Sequence, residues 1–349
     1  MQRLLKELQG EVLAIPGRDI VVAFFLFLFI LPLITTEPFI LRIVTFANIY
    51  AIYAVSWDLL CGFTGQINLG QALFFGVSAY TSALLNYYYG LPAWTTIPIG
   101  ALVAVGMGFI VALPTLRLRG IYLALVTLAF PIVMTGIIFA FANFTGGEIG
   151  IPGIAPLSPS RTITYYITLL VMLASVFVAW KLVDVKSKIV RTGIILQAIR
   201  EDEITARASG INTIRYKLLA FCLSGFLAGI AGGLYTHVMR IAGPSTLELM
   251  TSVYPIVWTI FGGVGTIFGP VTGVYILFPL VESLRVVGEI RILLFAILVV
   301  VVLVSMPEGI AVWVRDKIER TCPRCKLINM ATRRTCRACG AELHLIKGR

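Results

Sequence analysis

Apolar runs of about twenty residues, repeated along nearly the whole chain with short polar breaks between them, limit its folding more than any other feature. A helix of roughly that length is what crosses the ~30 Å hydrocarbon core of a bilayer. Such runs fall at 20–35, 39–61, 69–88, 94–113, 121–142, 163–182, 218–237, 251–265, 268–283 and 292–306. They predict an all-α, polytopic membrane fold with about ten spans. The pieces around Gly262 and Gly269 are short and are read as either full spans or broken, re-entrant ones. Composition excludes a water-soluble alternative. Only 13% of the 349 residues are charged and 58% are hydrophobic, where soluble domains carry about a quarter charged residues.

Charge then orients the spans. The net charge is +11, a value that by itself suits nucleic acid. Most of the excess sits in the segment from Arg315 onward, and the rest follows loop topology. Lys and Arg concentrate in the N-terminal segment, the turn at Arg117 and Arg119, the stretch 181–217 and the tail; the alternate loops hold only Arg42, Arg161, Arg240, Arg285 and Arg291. Positive charge marks the cytoplasmic side, so both termini are expected there, with anionic lipid rather than nucleic acid as the partner of the basic tail. No short apolar stretch with a small-residue cleavage site precedes the first run, which is read as a retained helix. The expected organisation is a cytoplasmic segment 1–19, a membrane domain 20–314 with one long cytoplasmic loop at 183–217, and a cytoplasmic tail 315–349.

The tail carries chemistry of its own. Cys322-Pro-Arg-Cys325 and Cys336-Arg-Ala-Cys339 are two C-x-x-C knuckles, and four thiolates in such pairs suit one tetrahedral zinc ion. Disulfides and idle thiols are the alternatives; a reducing cytoplasm favours metal. Four sulfurs would close the coordination sphere, so the zinc is expected to be structural, in a zinc-ribbon-like module. His344 reads as a surface histidine, and Cys61 and Cys222, inside apolar runs, as buried small hydrophobes.

Within the long loop, residues 194–209 read as one amphipathic helix, with Ile195, Ala198, Ile199 and Ala206 on one face, Glu203 paired with Arg207, and Gly210 as its stop. The segment is either a connector lying on the bilayer or a coupling helix that docks on a motor subunit. No G-x-x-x-x-G-K-[ST] occurs, and Gly262-Gly-Val-Gly265 lacks the lysine, so ATP-driven transport would need its energy from a partner. Polar residues inside the spans are the places to seek a substrate path, because lipid makes them costly unless they face inward. The densest group is Thr64, Gln66, Asn68, Gln71, Ser78, Tyr80 and Thr81, among glycines. Helix–helix packing explains such a group as well as a pathway does. The run Gly225, Gly229, Gly232 and Gly233 reads as packing, and Asp58 as either paired or pathway-lining.

Several stretches together resemble the branched-chain amino acid ABC permeases, specifically their LivM-like subunit. They are Gly62-Phe-Thr-Gly-Gln-Ile-Asn-Leu-Gly-Gln71 continuing to Tyr80, Leu116 to Tyr122, Thr145-Gly-Gly-Glu-Ile-Gly150, Ala198-Ile-Arg-Glu-Asp-Glu203 through Gly210, Ala228 to Tyr235, Gly262 to Pro270, and Met306-Pro-Glu-Gly309. The resemblance implies a permease that works with a second, LivH-like permease, ABC ATPase subunits and an extracytoplasmic substrate-binding protein in the cell membrane. It implies that Ile199, Arg200, Glu201, Glu203, Ala206 and Gly210 belong to the segment coupled to the ATPase. Catalysis of ATP hydrolysis then belongs to another subunit, and this chain is not an enzyme. The candidate pathway residues are Gln66, Asn68, Gln71, Ser78, Tyr80 and Thr81. Asn68 stands where the family often has serine, and the zinc-bearing tail has no counterpart in the family pattern. The alternatives are a permease of the same family for urea or a short amide, and a stand-alone secondary transporter. Only two histidines, His237 and His344, and no clustered carboxylates speak against a membrane enzyme.

Overall fold

A computed structural model describes residues 16–35, 37–115, 118, 120–184 and 192–284, together with the segments 319–322 and 328–330 and scattered positions between 290 and 342. The helices are α1 (Pro16–Ile34), α2 (Pro38–Thr64), α3 (Gln71–Tyr89), α4 (Ala93–Thr115), α5 (Ile121–Ala140), the short α6 (Ala142–Thr145), α7 (Arg161–Val183), α8 (Thr192–Glu201), α9 (Glu203–Ala208), α10 (Thr213–Met239), α11 (Leu249–Gly262) and α12 (Phe268–Ser283). A 3-10 turn, Pro244–Leu247, precedes α11. Two residues on each side, β1 (Ile151–Pro152) and β2 (Ile241–Ala242), pair antiparallel at one end of the bundle. In the tail, β3 (Glu319–Thr321) pairs antiparallel with β4 (Ile328–Met330).

Helices α2, α4, α5, α7 and α10 are long and apolar enough to cross a membrane, whereas α11, α12 and the 23–34 part of α1 are apolar but shorter. The tenth predicted run, 292–306, falls outside the described residues apart from isolated positions, so the count of ten has no structural counterpart there.

Helix α10 is the hub, packed against α4, α3 and α2, while α2 also packs on α7, α11 and α12. The sequence permits this closeness. A Cβ on Gly229 would lie 2.7 Å from the Cα of Ala101 and one on Gly225 2.9 Å from the carbonyl oxygen of Ala104, and one on Gly232 would strike the Phe75 carbonyl. Small residues let helix backbones meet where no hydrophobic force drives association, so this run is packing, as predicted. At the periphery α5 turns Ile121, Leu125, Ile132 and Val133 outward. An exposed apolar face of that kind suits lipid or another membrane subunit.

The 69–88 run does not form a simple span. Helix α2 stops at Gly65, whose φ of 70° favours glycine. The chain then doubles back: Trp57 Nε1 donates to the Asn68 carbonyl at 2.7 Å, about two helical turns inside the end of α2. Helix α3 therefore begins within the bundle, beside the middle of α10. Irregular backbone at such depth survives only where protein satisfies its polar groups. Here the amides of Leu69, Gly70 and Ala72 donate to Thr127 Oγ1 (3.1 Å), Asn68 Oδ1 (2.9 Å) and Ser252 Oγ (3.0 Å).

Candidate functional site

The predicted loop helix is two helices. Asp202 breaks it: its backbone leaves the helical region and its side chain caps α9, accepting from the amides of Ile204 (2.8 Å) and Thr205 (3.3 Å). A short carboxylate with free local donors competes well with helix continuation. Two of the other predicted details hold. Glu203 pairs with Arg207 at 2.9 Å, and Gly210 ends α9 with φ 84°. The amides of Gly210 and Ile211 close on the carbonyls of Arg207 (3.0 Å) and Ala206 (3.1 Å). Glu203 also accepts from Lys217 Nζ at 2.8 Å, tying α9 to the start of α10.

The buried face of this segment is Gly193, Leu196 and Ile199 of α8 with Ala206 of α9. Ile195 and Ala198, predicted on that face, are half-buried. Helix α8 packs on α2, α7 and α10. Ile194, Glu201 and Ile204 face away from the bundle and are exposed. Arg200 reaches inward and donates to the Gly62 carbonyl near the end of α2. It lies against Gly265 in the turn between α11 and α12, where a Cβ would come 2.7 Å from its Nη1. The Gly265 amide in turn donates to Asp58 Oδ1 at 2.7 Å, so Asp58 is paired on one oxygen. One guanidinium thus links the loop segment to the end of α2 and to the turn between α11 and α12.

The predicted pathway residues divide. Asn68, Gln71 and Ser78 are buried and engaged within the protein. Asn68 Nδ2 donates to Gln71 Oε1 (2.7 Å), and Gln71 Nε2 donates to Ser56 Oγ (2.8 Å) and Ser224 Oγ (3.0 Å). Ser78 donates to the Gly229 carbonyl (2.6 Å), and half-buried Thr81 to its own helix at Val77 (2.7 Å). Among the described residues, Gln66 Nε2, Tyr80 Oη and Asp58 Oδ2 are buried atoms without a partner.

Three cavities open at the end of the bundle opposite α8. A basin of about 880 Å³ is lined by Arg42, Arg161, Arg240 and His237 among others. Arg240 is the one described non-glycine residue with positive φ, 63°. His237 Nδ1 lies 2.8 Å from the Ala155 carbonyl, which only accepts, so that nitrogen carries the proton and Nε2 accepts from Thr96 Oγ1 at 2.8 Å. A smaller chamber of about 210 Å³ is walled by Tyr50, Tyr53, Phe75, Tyr235, Tyr254 and Trp258, with Glu248 at its edge. A third, of about 410 Å³, shares Tyr235, Ser245, Thr246 and Glu248 with it and adds Glu148. Sequence reading missed the aromatic chamber. The helical spacings Tyr50–Tyr53 and Tyr254–Trp258 were its only local signal, and the walls come from elements far apart in the chain.

In the tail, Cys322 directly follows β3, and Cys322 and Cys336 are both buried. Cys325, Cys339 and His344 lie outside the described residues, and among the described ones no three potential metal ligands gather.

The chain is 31% identical over 306 residues to the high-affinity branched-chain amino acid transport system permease protein LivM of Escherichia coli, covering 79% of this chain and 71% of that protein. It is 30% identical over 354 residues to the LivM protein of Salmonella typhimurium, covering 91% and 82%. A probable branched-chain amino acid transport permease protein LivH of Methanocaldococcus jannaschii is 26% identical over 257 residues, covering 67% and 76%. No solved structure matches. The family described as branched-chain amino acid transport system / permease component matches residues 39–306, which takes in α2 to α12 and leaves the cysteine-bearing tail outside. The chain belongs to that permease family, and is a membrane-spanning subunit of an ABC importer rather than an enzyme.

Proposed function

We propose that this permease imports branched-chain or related amino acids, received from an extracytoplasmic binding protein, and that α8 and α9 dock on an ATPase subunit. The observation that carries the coupling is the reach of Arg200 from α8 to the Gly62 carbonyl, against the turn at Gly265. A push on the outward face at Ile194, Glu201 and Ile204 would travel through a packed element rather than a slack loop. Rigid elements with discrete contacts are what carry such coupling. Both termini and the α8–α9 end are then cytoplasmic, which agrees with the concentration of Lys and Arg in the loops on that side. A second, LivH-like permease would cover part of the exposed apolar surface. The substrate assignment rests on the names of the relatives.

The test is to purify the complex from its native membrane, identify the co-purifying subunits, and measure uptake in proteoliposomes. ATP-dependent uptake of leucine or valine supports the reading; the same uptake with no ATPase present contradicts it, and uptake of urea alone changes the substrate.

We further propose that the tail holds one structural zinc through Cys322, Cys325, Cys336 and Cys339. Two buried thiols, one of them directly after the first strand of a short antiparallel pair, fit such a module. Metal analysis should give about one zinc per chain, falling sharply in the Cys322→Ser, Cys336→Ser double variant. Full zinc in that variant would refute the site.

A further inference from the structure

The aromatic chamber differs from the Asn68–Gln71 cluster in what its groups face. We infer that it binds an apolar α-amino acid, with the ammonium group held between Glu248 and the ring faces of Tyr235, Tyr50 and Trp258. This rests on the importer reading above and adds a place and a chemistry to it.

Among the described residues that line the chamber, Glu248 is the one with a charged side chain. Aromatic rings present negative faces, and a cation over them gains about 0.5–2 kcal/mol, more as water is excluded. The rings are set for this. Tyr50 and Trp258 have centroids 5.0 Å apart at 45°, and Tyr235 stands 6.3 Å from Tyr50 at 42°, so these three are tilted against one another, while Tyr254 stacks on one face of Trp258 at 5.5 Å and 12°. Behind them Tyr53 and Phe75 pack at 4.7 Å, and Tyr53 Oη donates to the Thr251 carbonyl at 3.0 Å. That wall is fixed. The hydroxyls of Tyr50 and Tyr235, by contrast, have no protein partner among the described residues. They are donors available to a carboxylate. One chamber therefore offers an anion and ring faces for an ammonium group, apolar walls for a side chain, and hydroxyls for a carboxylate. Its volume of about 210 Å³ lies below the range of drug-sized pockets and suits a small amino acid. Urea has neither the charge nor the apolar body to use it. The adjoining 410 Å³ cavity, sharing Tyr235 and Glu248, gives access from the end opposite α8.

The experiment uses the complete transporter in proteoliposomes and measures KM and kcat for L-leucine. Glu248→Gln should raise KM about tenfold and leave kcat within about twofold. In the wild type, 3-methylbutylamine should inhibit uptake competitively and 4-methylpentanoate should not; the amine should lose its effect in Glu248→Gln. Tyr50→Phe, which deletes one hydroxyl, serves if Glu248→Gln does not assemble, and should raise KM several-fold. Unchanged KM in an assembled variant, or equal inhibition by the acid and the amine, overturns the site while wild-type leucine uptake keeps the importer reading intact. Absence of leucine and valine uptake in the wild type defeats that reading itself.

Discussion

Two of the polar regions inside this apolar bundle are built to opposite rules. At the start of α3, Asn68, Gln71, Ser56 and Ser224 bond to one another, and nearby side chains satisfy the amides freed by the broken span. At the aromatic chamber, hydroxyls and a carboxylate line open space. Density of polar residues along the sequence marked the first region. It is a knot that holds α2, α3 and α10 together, where an unmet polar group in lipid would be expensive. The second region, spread over separate elements, is where the protein leaves chemistry for something else. In a membrane bundle, what a polar group already bonds is a better guide to its role than how many neighbours resemble it.

The largest effect expected on the packed side of this contrast is at Gly232. Gly232→Val drives a side chain into the Phe75 carbonyl, an overpacking of backbone worth about 3 kcal/mol or more. The variant should fail to extract as a monodisperse complex; normal extraction would mean that the α3–α10 seam is looser than described. Gln71→Leu should come next. It deletes bonds to Asn68, Ser56 and Ser224, each worth about 0.6–1.7 kcal/mol in a membrane, so Tm of the complex should drop by about 5 °C. Its KM for substrate should stay put, and a raised KM at normal Tm would make the knot part of the path. Smallest is Tyr80→Phe. The hydroxyl of Tyr80 is buried without a described partner, so its loss should change stability by no more than about 0.5 kcal/mol, toward gain. A clear loss of uptake in Tyr80→Phe would return that hydroxyl to the pathway.

Much of the fold was legible because lipid imposes one pattern. The runs predicted at 39–61, 94–113 and 163–182 match α2, α4 and α7 within a few residues. The start of α10 was set too late, at 218, because its first turns are polar: Asn212 caps it by accepting from the Arg215 amide at 3.2 Å, and Lys217 is buried against Glu203. The break at Asp202 was written in the sequence as a capping residue, and helical periodicity on both sides concealed it. The doubling back at Gly65–Gly70 was not legible. It depends on Thr127 and Ser252, both remote in the chain, to receive the freed amides. The same holds for Arg200 and Gly62, which are 138 residues apart. Local pattern located the loop segment and the family resemblance gave it a role, but neither named the carbonyl it grips.

The most direct test of the account is the ratio of leucine transported to ATP hydrolysed when Arg200 is cut back to alanine. A charged hydrogen bond of this kind is worth about 1.5 kcal/mol or more, roughly a factor of ten. Arg200→Ala should assemble with its ATPase subunits, hydrolyse ATP at near the wild-type rate, and move about tenfold less leucine per ATP. An unchanged ratio in an intact complex would contradict the claim that this residue carries the motor's motion into the spans.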